Sequence, residues 1–292
     1  MKAKSDITTS DTAGATLEEP RPPLAEEKFE TRPVRVGNIS VGDGGFVVLA
    51  GPCSIESEAQ FGTIAQHVRQ EGAAILRGGV YKLRTKPSSF QGLGTEAFDH
   101  VRKIKAATGM PIVSEITDPR QVEALHDLID VFQVGTRNMY NYSLLKELGM
   151  IRKPVLLKRG MSALIDEWIN AAGYILGGGN PDVILCERGI RTFETKMRNT
   201  LDLAAVAWIK RNSELPVIVD PSHGTGRPEL IGPMTLAAAA AGADGVLIEV
   251  HPEPGRALSD GEQAVDFGEF ATLMARLRPV LTALGRQLTV PA

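Results

Sequence analysis

Residues 217–250 read VIVDPSHGTGRPELIGPMTLAAAAAGADGVLIEV. Two short apolar runs, Val217–Val219 and Val246–Ile248, flank a segment that includes TLAAAAAGA. Runs this short suit buried strands better than helices. The small alanine side chains between them suit a helix lying close on a sheet. Gly242 stands where that helix should stop. A strand, a helix and a second strand make one βαβ unit, which requires the two strands to run parallel.

The same rhythm extends toward the N-terminus. Apolar runs occur at Phe46–Ala50, Ala73–Leu76, Pro111–Val113, Val131–Val134, Val155–Leu157 and Val183–Leu185, which brings the total to eight. Their spacing matches the length of a strand–helix unit. Six of the intervening segments carry helical periodicity; in SALIDEWINAAGYIL, Leu164, Trp168 and Ala172 share one face. Ser57, Asp118 and Ser162 are expected as N-caps, and Gly72, Gly109 and Gly149 as stops. Eight parallel strands alternating with helices point to a (β/α)8 TIM barrel rather than an open doubly wound sheet. Ahead of it, apolar strings on either side of GDGG (42–45) predict a short hairpin over residues 34–50 that turns at those glycines.

Bulk composition narrows the function. The chain has 292 residues, 43% of them hydrophobic, with a formal charge of −3. That charge supplies no global field for nucleic acid. Two cysteines make no disulfide framework. No apolar stretch suits a signal or a span, so a cytoplasmic protein is expected. Residues 1–32 are polar and proline-rich and are read as a disordered tail, with residues 33–292 as the catalytic barrel and its hairpin.

Candidate functional residues follow the strands. Cys53 in AGPCSIES, His223 in VDPSHGTGR, Glu249 in LIEVHPEP and Asp260 in ALSDGEQ are metal-ligand types. Closure of a barrel makes its last and first strands neighbours, so these four can share one ion. Thiolate, imidazole and carboxylate together suit Mn, Co, Fe or Zn more than Mg. Singly, each has an ordinary structural reading; converging at one mouth, they point to a site. Arg77, Lys82, Arg84, Lys86, Arg137, Lys158 and Arg188 also follow strand runs. Such a ring of cations implies an anionic substrate holding phosphate or carboxylate groups.

The segments AGPCSIES, RGGVYKLRTKPSSFQGLG, VGTRNMYNYSLLKELG, PVLLKRGMSA, ILCERGIRTFE, VIVDPSHGTGR and GADGVLIEVHPEPGRALSDG closely resemble the 3-deoxy-D-arabino-heptulosonate-7-phosphate (DAHP) synthases. The branch is the one related to 3-deoxy-manno-octulosonate-8-phosphate (KDO8P) synthases. The resemblance covers roughly residues 34–285. It implies a barrel enzyme that condenses phosphoenolpyruvate with erythrose 4-phosphate and opens the shikimate pathway. It also implies that Cys53, His223, Glu249 and Asp260 ligate a divalent metal. Arg77, Lys82, Arg137, Lys158 and Arg188 would bind phosphoenolpyruvate, with Glu115 nearby, and Arg84 and Thr85 the aldose phosphate. Lys82 is also placed as a proton donor to the new hydroxyl. Leu83, Lys86, Thr136 and Tyr140 depart from the usual family residues. They keep two alternatives open: a KDO8P synthase using arabinose 5-phosphate, and a specialised homologue using another phosphorylated aldose. A reading of another class is a non-catalytic binding or regulatory barrel. A homo-oligomer, dimer or tetramer, is expected. So is insensitivity to aromatic end products unless a separate regulatory partner protein docks.

Overall fold

The computed structural model describes residues 29–291. Most of the expected tail, 1–32, lies outside the described residues; at its end, the Arg32 amide donates to the Glu214 carbonyl at 2.7 Å. A hairpin of β1 (Val34–Val36) and β2 (Ile39–Val41) comes first. The barrel strands follow: β3 (Phe46–Gly51), β4 (Ile75–Arg77), β5 (Ile112–Ile116), β6 (Val131–Val134), β7 (Val155–Lys158), β8 (Val183–Glu187), β9 (Val217–Val219) and β10 (Gly245–Glu249). Each pairs parallel with the next, and β10 closes the ring on β3. A two-residue β11 (Leu288–Thr289) lies beside the start of β3.

Helices connect the strands: α1 (Glu58–Gln70), α2 (Ala97–Thr108), α3 (Val122–His126), α4 (Tyr142–Met150), α5 (Ile165–Gly177), α6 (Leu203–Asn212), α7 (Pro221–Thr225), α8 (Pro228–Ala240) and α9 (Phe267–Ala283). No helix among the described residues is long and apolar enough to cross a membrane. The helices bury one face each against the outer strand surface, with Phe61, Ile64, Trp168, Val206, Ile231 and Phe270 in one continuous cluster. A second cluster fills the barrel: Val47, Leu49, Ile75, Val113, Val131, Leu156, Ile184, Ile218 and Leu247. Val34, Val36, Ile39 and Val41 of the hairpin join it and plug the N-terminal end.

Local details correct the sequence reading. The hairpin turns at Gly37–Asn38, where Gly37 has φ +60°, and not at GDGG. A two-residue turn with positive φ matches the twist of paired strands, and the GDGG segment instead leads into β3. Helix α5 begins at Ile165 with Leu164 as its exposed N-cap, so Ser162 caps nothing and Leu164 is off the buried face. The Glu167 carboxylate accepts the Leu164 N–H at 2.8 Å, which fixes that start. Gly149 lies inside α4 rather than ending it. A Cβ there would stand 2.9 Å from the Ile175 carbonyl oxygen, so the glycine permits close approach of α4 to α5.

Candidate active site

Strand side chains alternate between faces. On the inner face, Leu49, Ile75, Val113, Val131, Leu156, Ile184, Ile218 and Leu247 form the apolar filling. Two residues further along each strand, the inward series becomes Gly51, Arg77, Glu115, Gln133, Lys158, Cys186, Asp220 and Glu249. The barrel thus changes from apolar to polar within one step, at its C-terminal mouth. Glu115 lies on β5, which runs further than its apolar run indicates.

Three prospective ligands meet directly. Cys53, Glu249 and Asp260 offer atoms that all lie within 4.8 Å of one another, and the Cys53 Sγ is 3.3 Å from Asp260 Oδ2. His223 faces them from α7, its Nε2 3.5 Å from Glu249 Oε1 and 3.8 Å from Asp260 Oδ2. Burial, with Glu249 adding to it, pushes the Cys53 thiol up to about 12. Burial also lowers the His223 pKa, which favours the neutral, ligating imidazole. Asp260 is buried enough to raise its pKa, yet His223 and Lys82 hold it below the usual range. Two ionised carboxylates converging on a thiol and a neutral imidazole fit a divalent ion in both charge and donor type. Asp260 has φ +50°, the one non-glycine residue with positive φ among those described. Aspartate tolerates that conformation better than most residues. Such local strain suits a side chain that must be aimed. Gln263, itself buried, donates to Glu249 Oε2 at 2.6 Å and fixes that carboxylate.

The cations surround a cavity of about 360 Å³. Lys82, Arg84, Thr85, Glu115, Arg137, Lys158, Arg188, His223 and Asp260 all line it, as do Leu83, Lys86 and Thr136. Lys82 is 3.0 Å from Glu115 Oε2. A Cβ on Gly135 would stand 2.2 Å from the Glu115 carboxylate, so only glycine leaves that acid its place. Arg137 donates to the Leu83 carbonyl at 3.2 Å and ties down the loop after β4. Position 83 therefore gives Arg137 its backbone oxygen, which leucine supplies as well as proline. Arg77 does not line the cavity. It lies buried beneath the ligand cluster, 2.6 Å from Glu249 Oε1. Tyr140 also lies off the cavity, donating to Glu167 at 3.2 Å.

Several residues of the mouth escaped the sequence reading. Gln133 and Asp220 follow inward apolar residues at a step of two, and that alternation could have found both. Arg198, in the loop between β8 and α6, lines the cavity and bonds to Gln263; no local pattern marks it. Arg159 supports the mouth from outside, 3.0 Å from both Glu187 and Asp202. Glu187 in turn accepts the Gly189 N–H at 2.6 Å, so the pair holds the chain on both sides of Arg188. Arg159→Met strands a buried carboxylate and is expected to cost about 3–5 kcal/mol in urea unfolding. Burial already raises the Glu187 pKa, against the pull of Arg159. A raised carboxyl stabilises at low pH and loses that contribution as pH rises through its folded value. The deficit should therefore be smaller in acid than in alkali; a deficit independent of pH would remove Glu187 as its cause.

A closed parallel barrel with an acid, thiol and imidazole cluster beside a cation-lined cavity defines a TIM-barrel enzyme for anionic substrates. Residues 21–283 match the model of the DAHP synthetase I family, and the chain belongs to that family. It is 44% identical, over 86% of its length and 75% of the relative's, to a phospho-2-dehydro-3-deoxyheptonate aldolase of Thermotoga maritima. A 2-dehydro-3-deoxyphosphooctonate aldolase of Geobacter sulfurreducens is 30% identical over 86% of this chain and 98% of that one. Among solved structures, a DAHP synthase from Thermotoga maritima superposes with TM-score 0.86 at 43% identity, covering 89% of this chain and 76% of that one. A truncated form of 3-deoxy-D-arabino-heptulosonate 7-phosphate synthase from the same organism gives 0.83 at 41% identity, covering 89% and 95%.

Proposed function

We propose that this chain condenses phosphoenolpyruvate with erythrose 4-phosphate and one water, which adds at the enol carbon, releasing phosphate and forming DAHP, the opening step of the shikimate pathway. The observation that carries the reading is one cavity lined both by His223 and Asp260 and by Lys82, Arg84, Arg137, Lys158 and Arg188. Cys53, His223, Glu249 and Asp260 would hold a divalent ion, which would supply Lewis-acid polarisation of the aldehyde. Lys158 and Arg188, at the ends of β7 and β8, hold the phosphate and carboxylate of phosphoenolpyruvate. Arg84, Thr85 and Lys86 hold the aldose phosphate. Fixing two anions in register turns a bimolecular encounter into a local one. Lys82 gives its proton to the new hydroxyl. Burial alone would lower its pKa, but the carboxylates of Glu115 and Glu249 keep it above the usual lysine range.

Phosphate release from phosphoenolpyruvate, measured with a panel of phosphorylated aldoses with and without EDTA, tests the whole reading. Erythrose 4-phosphate should be preferred and chelation should stop the reaction. Preference for arabinose 5-phosphate would favour the octulosonate chemistry named for the Geobacter relative. Phosphate release unaffected by EDTA would remove the metal.

Arg84→Ala tests the division of the mouth. Arg84 lines the cavity and lies 3.6 Å from Asp260 Oδ1, on the loop after β4. Losing one charge-assisted bond costs about 1.5–3 kcal/mol, or roughly ten- to hundredfold in affinity. That loss should appear in the aldose KM; a rise confined to the phosphoenolpyruvate KM would merge the two subsites.

A further inference from the structure

The buried carboxylate of Asp220 has no place in the reaction drawn above, and it does not line the cavity. It follows β9 by inward alternation from Ile218 and is 0% exposed. Its Oδ1 accepts the backbone N–H of His223 at 2.9 Å and so caps the turn that carries the imidazole. Its Oδ2 lies 2.5 Å from Lys158 Nζ, a cation of the cavity. The same oxygen lies 2.8 Å from His223 Nδ1, a buried nitrogen with no hydrogen-bond partner among the described residues. One oxygen atom therefore stands between the anion cavity and the ligand cluster.

We propose that Asp220 is a positioning residue that orients two working groups at once, aiming His223 Nε2 at the metal position and Lys158 Nζ at the substrate anion. The inference rests on the reading of the mouth as a metal and phosphoenolpyruvate site. A proton held on Nδ1 by a carboxylate leaves the Nε2 lone pair free, and such outer partners strengthen an imidazole ligand. Lys158 lines the cavity, and Asp220 is its one side-chain hydrogen-bond partner among the described residues.

Asp220→Asn keeps the shape and the cap on the His223 N–H but turns an amide toward the ammonium. Asp220→Ser keeps a capping oxygen and loses the charge altogether. Both variants and the wild type would be titrated with Co²⁺ alone, followed by the thiolate charge-transfer band, and then with phosphoenolpyruvate in its presence. Thermal melts would run in parallel. The expected result is a ten- to hundredfold loss of Co²⁺ affinity and at least a tenfold loss of phosphoenolpyruvate affinity, in folded protein. Wild-type affinity for both ligands in either variant overturns the proposal while leaving the function reading intact. A wild-type chain that takes up no Co²⁺ overturns both. Should neither variant fold, nitrogen-15 spectra of histidine in the Zn²⁺-loaded wild type carry the test. His223 protonated on Nδ1 and metal-bound through Nε2 supports the proposal, and the reverse tautomer overturns it.

Discussion

Cys53→Ala should lose its metal and fall in turnover by about a thousandfold or more, while remaining folded. The thiol sits one step past β3, beyond the apolar filling of the barrel, and 6% exposed. Removing it leaves the strand pairing of β3 with β4 and β10 untouched. Its chemical surroundings explain the size of the effect on function. Burial and Glu249 push the thiol up to about 12, so without a cation it stays protonated at neutral pH. With Asp260 3.3 Å away and Glu249 in the same cluster, the thiolate would be the third negative charge in one small volume. A divalent ion would make that arrangement favourable, and the thiolate would be its one soft ligand. Lewis-acid activation is worth several kcal/mol of transition-state stabilisation. Each 1.36 kcal/mol is about tenfold in rate. Metal content after dialysis, turnover and a circular-dichroism melt are the three measurements. Full turnover at trace metal would remove Cys53 from the ligand set.

The fold was legible because barrel strands, buried on both faces, read as apolar runs. Eight of them recur at helix-length spacing, and that spacing separates a (β/α)8 barrel from eight-stranded antiparallel barrels. The mouth was legible for the same reason in part. Lys158 and Glu249 end their strands, and a charge that terminates an apolar run is conspicuous. Asp220 is as deeply placed, yet before proline and serine it reads as an ordinary helix cap, which it also is. Its second task depends on Lys158, 62 residues away, and only closure of the barrel brings the two together. Arg77 shows the opposite limit. Alternation sends it inward, but its 2.6 Å contact with Glu249, 172 residues away, appears only in the closed barrel. Arg198 lies on an irregular loop and Gln263 ends a single 3₁₀ turn, Gly261–Gln263, both too short of regular structure for a period to be read. The hairpin turn was misplaced because GDGG is the louder glycine signal, while a two-residue Gly37–Asn38 turn is enough.

Lys82→Met should lower kcat by about a hundred- to ten-thousandfold, the range for loss of a positioned acid. Lys82 is 8% exposed, lines the cavity, and reaches Glu115 at 3.0 Å. Its pKa stays above the usual lysine range because the carboxylates of Glu115 and Glu249 oppose the effect of burial, so it carries a proton throughout neutral pH. Methionine preserves the packing of the stem but leaves Glu115 buried without its cation, a loss that costs stability as well as rate. A second substitution separates the two effects. Lys82→Arg keeps the positive charge and the pairing with Glu115, but a guanidinium does not give up its proton at neutral pH. The arginine variant should therefore recover melting temperature and phosphoenolpyruvate affinity without recovering kcat. Steady-state constants and melts for the two variants, side by side, make the distinction. If Lys82→Arg turned over within tenfold of the wild type, Lys82 would serve as a fixed charge alone, and the proton for the new hydroxyl would have to come from solvent.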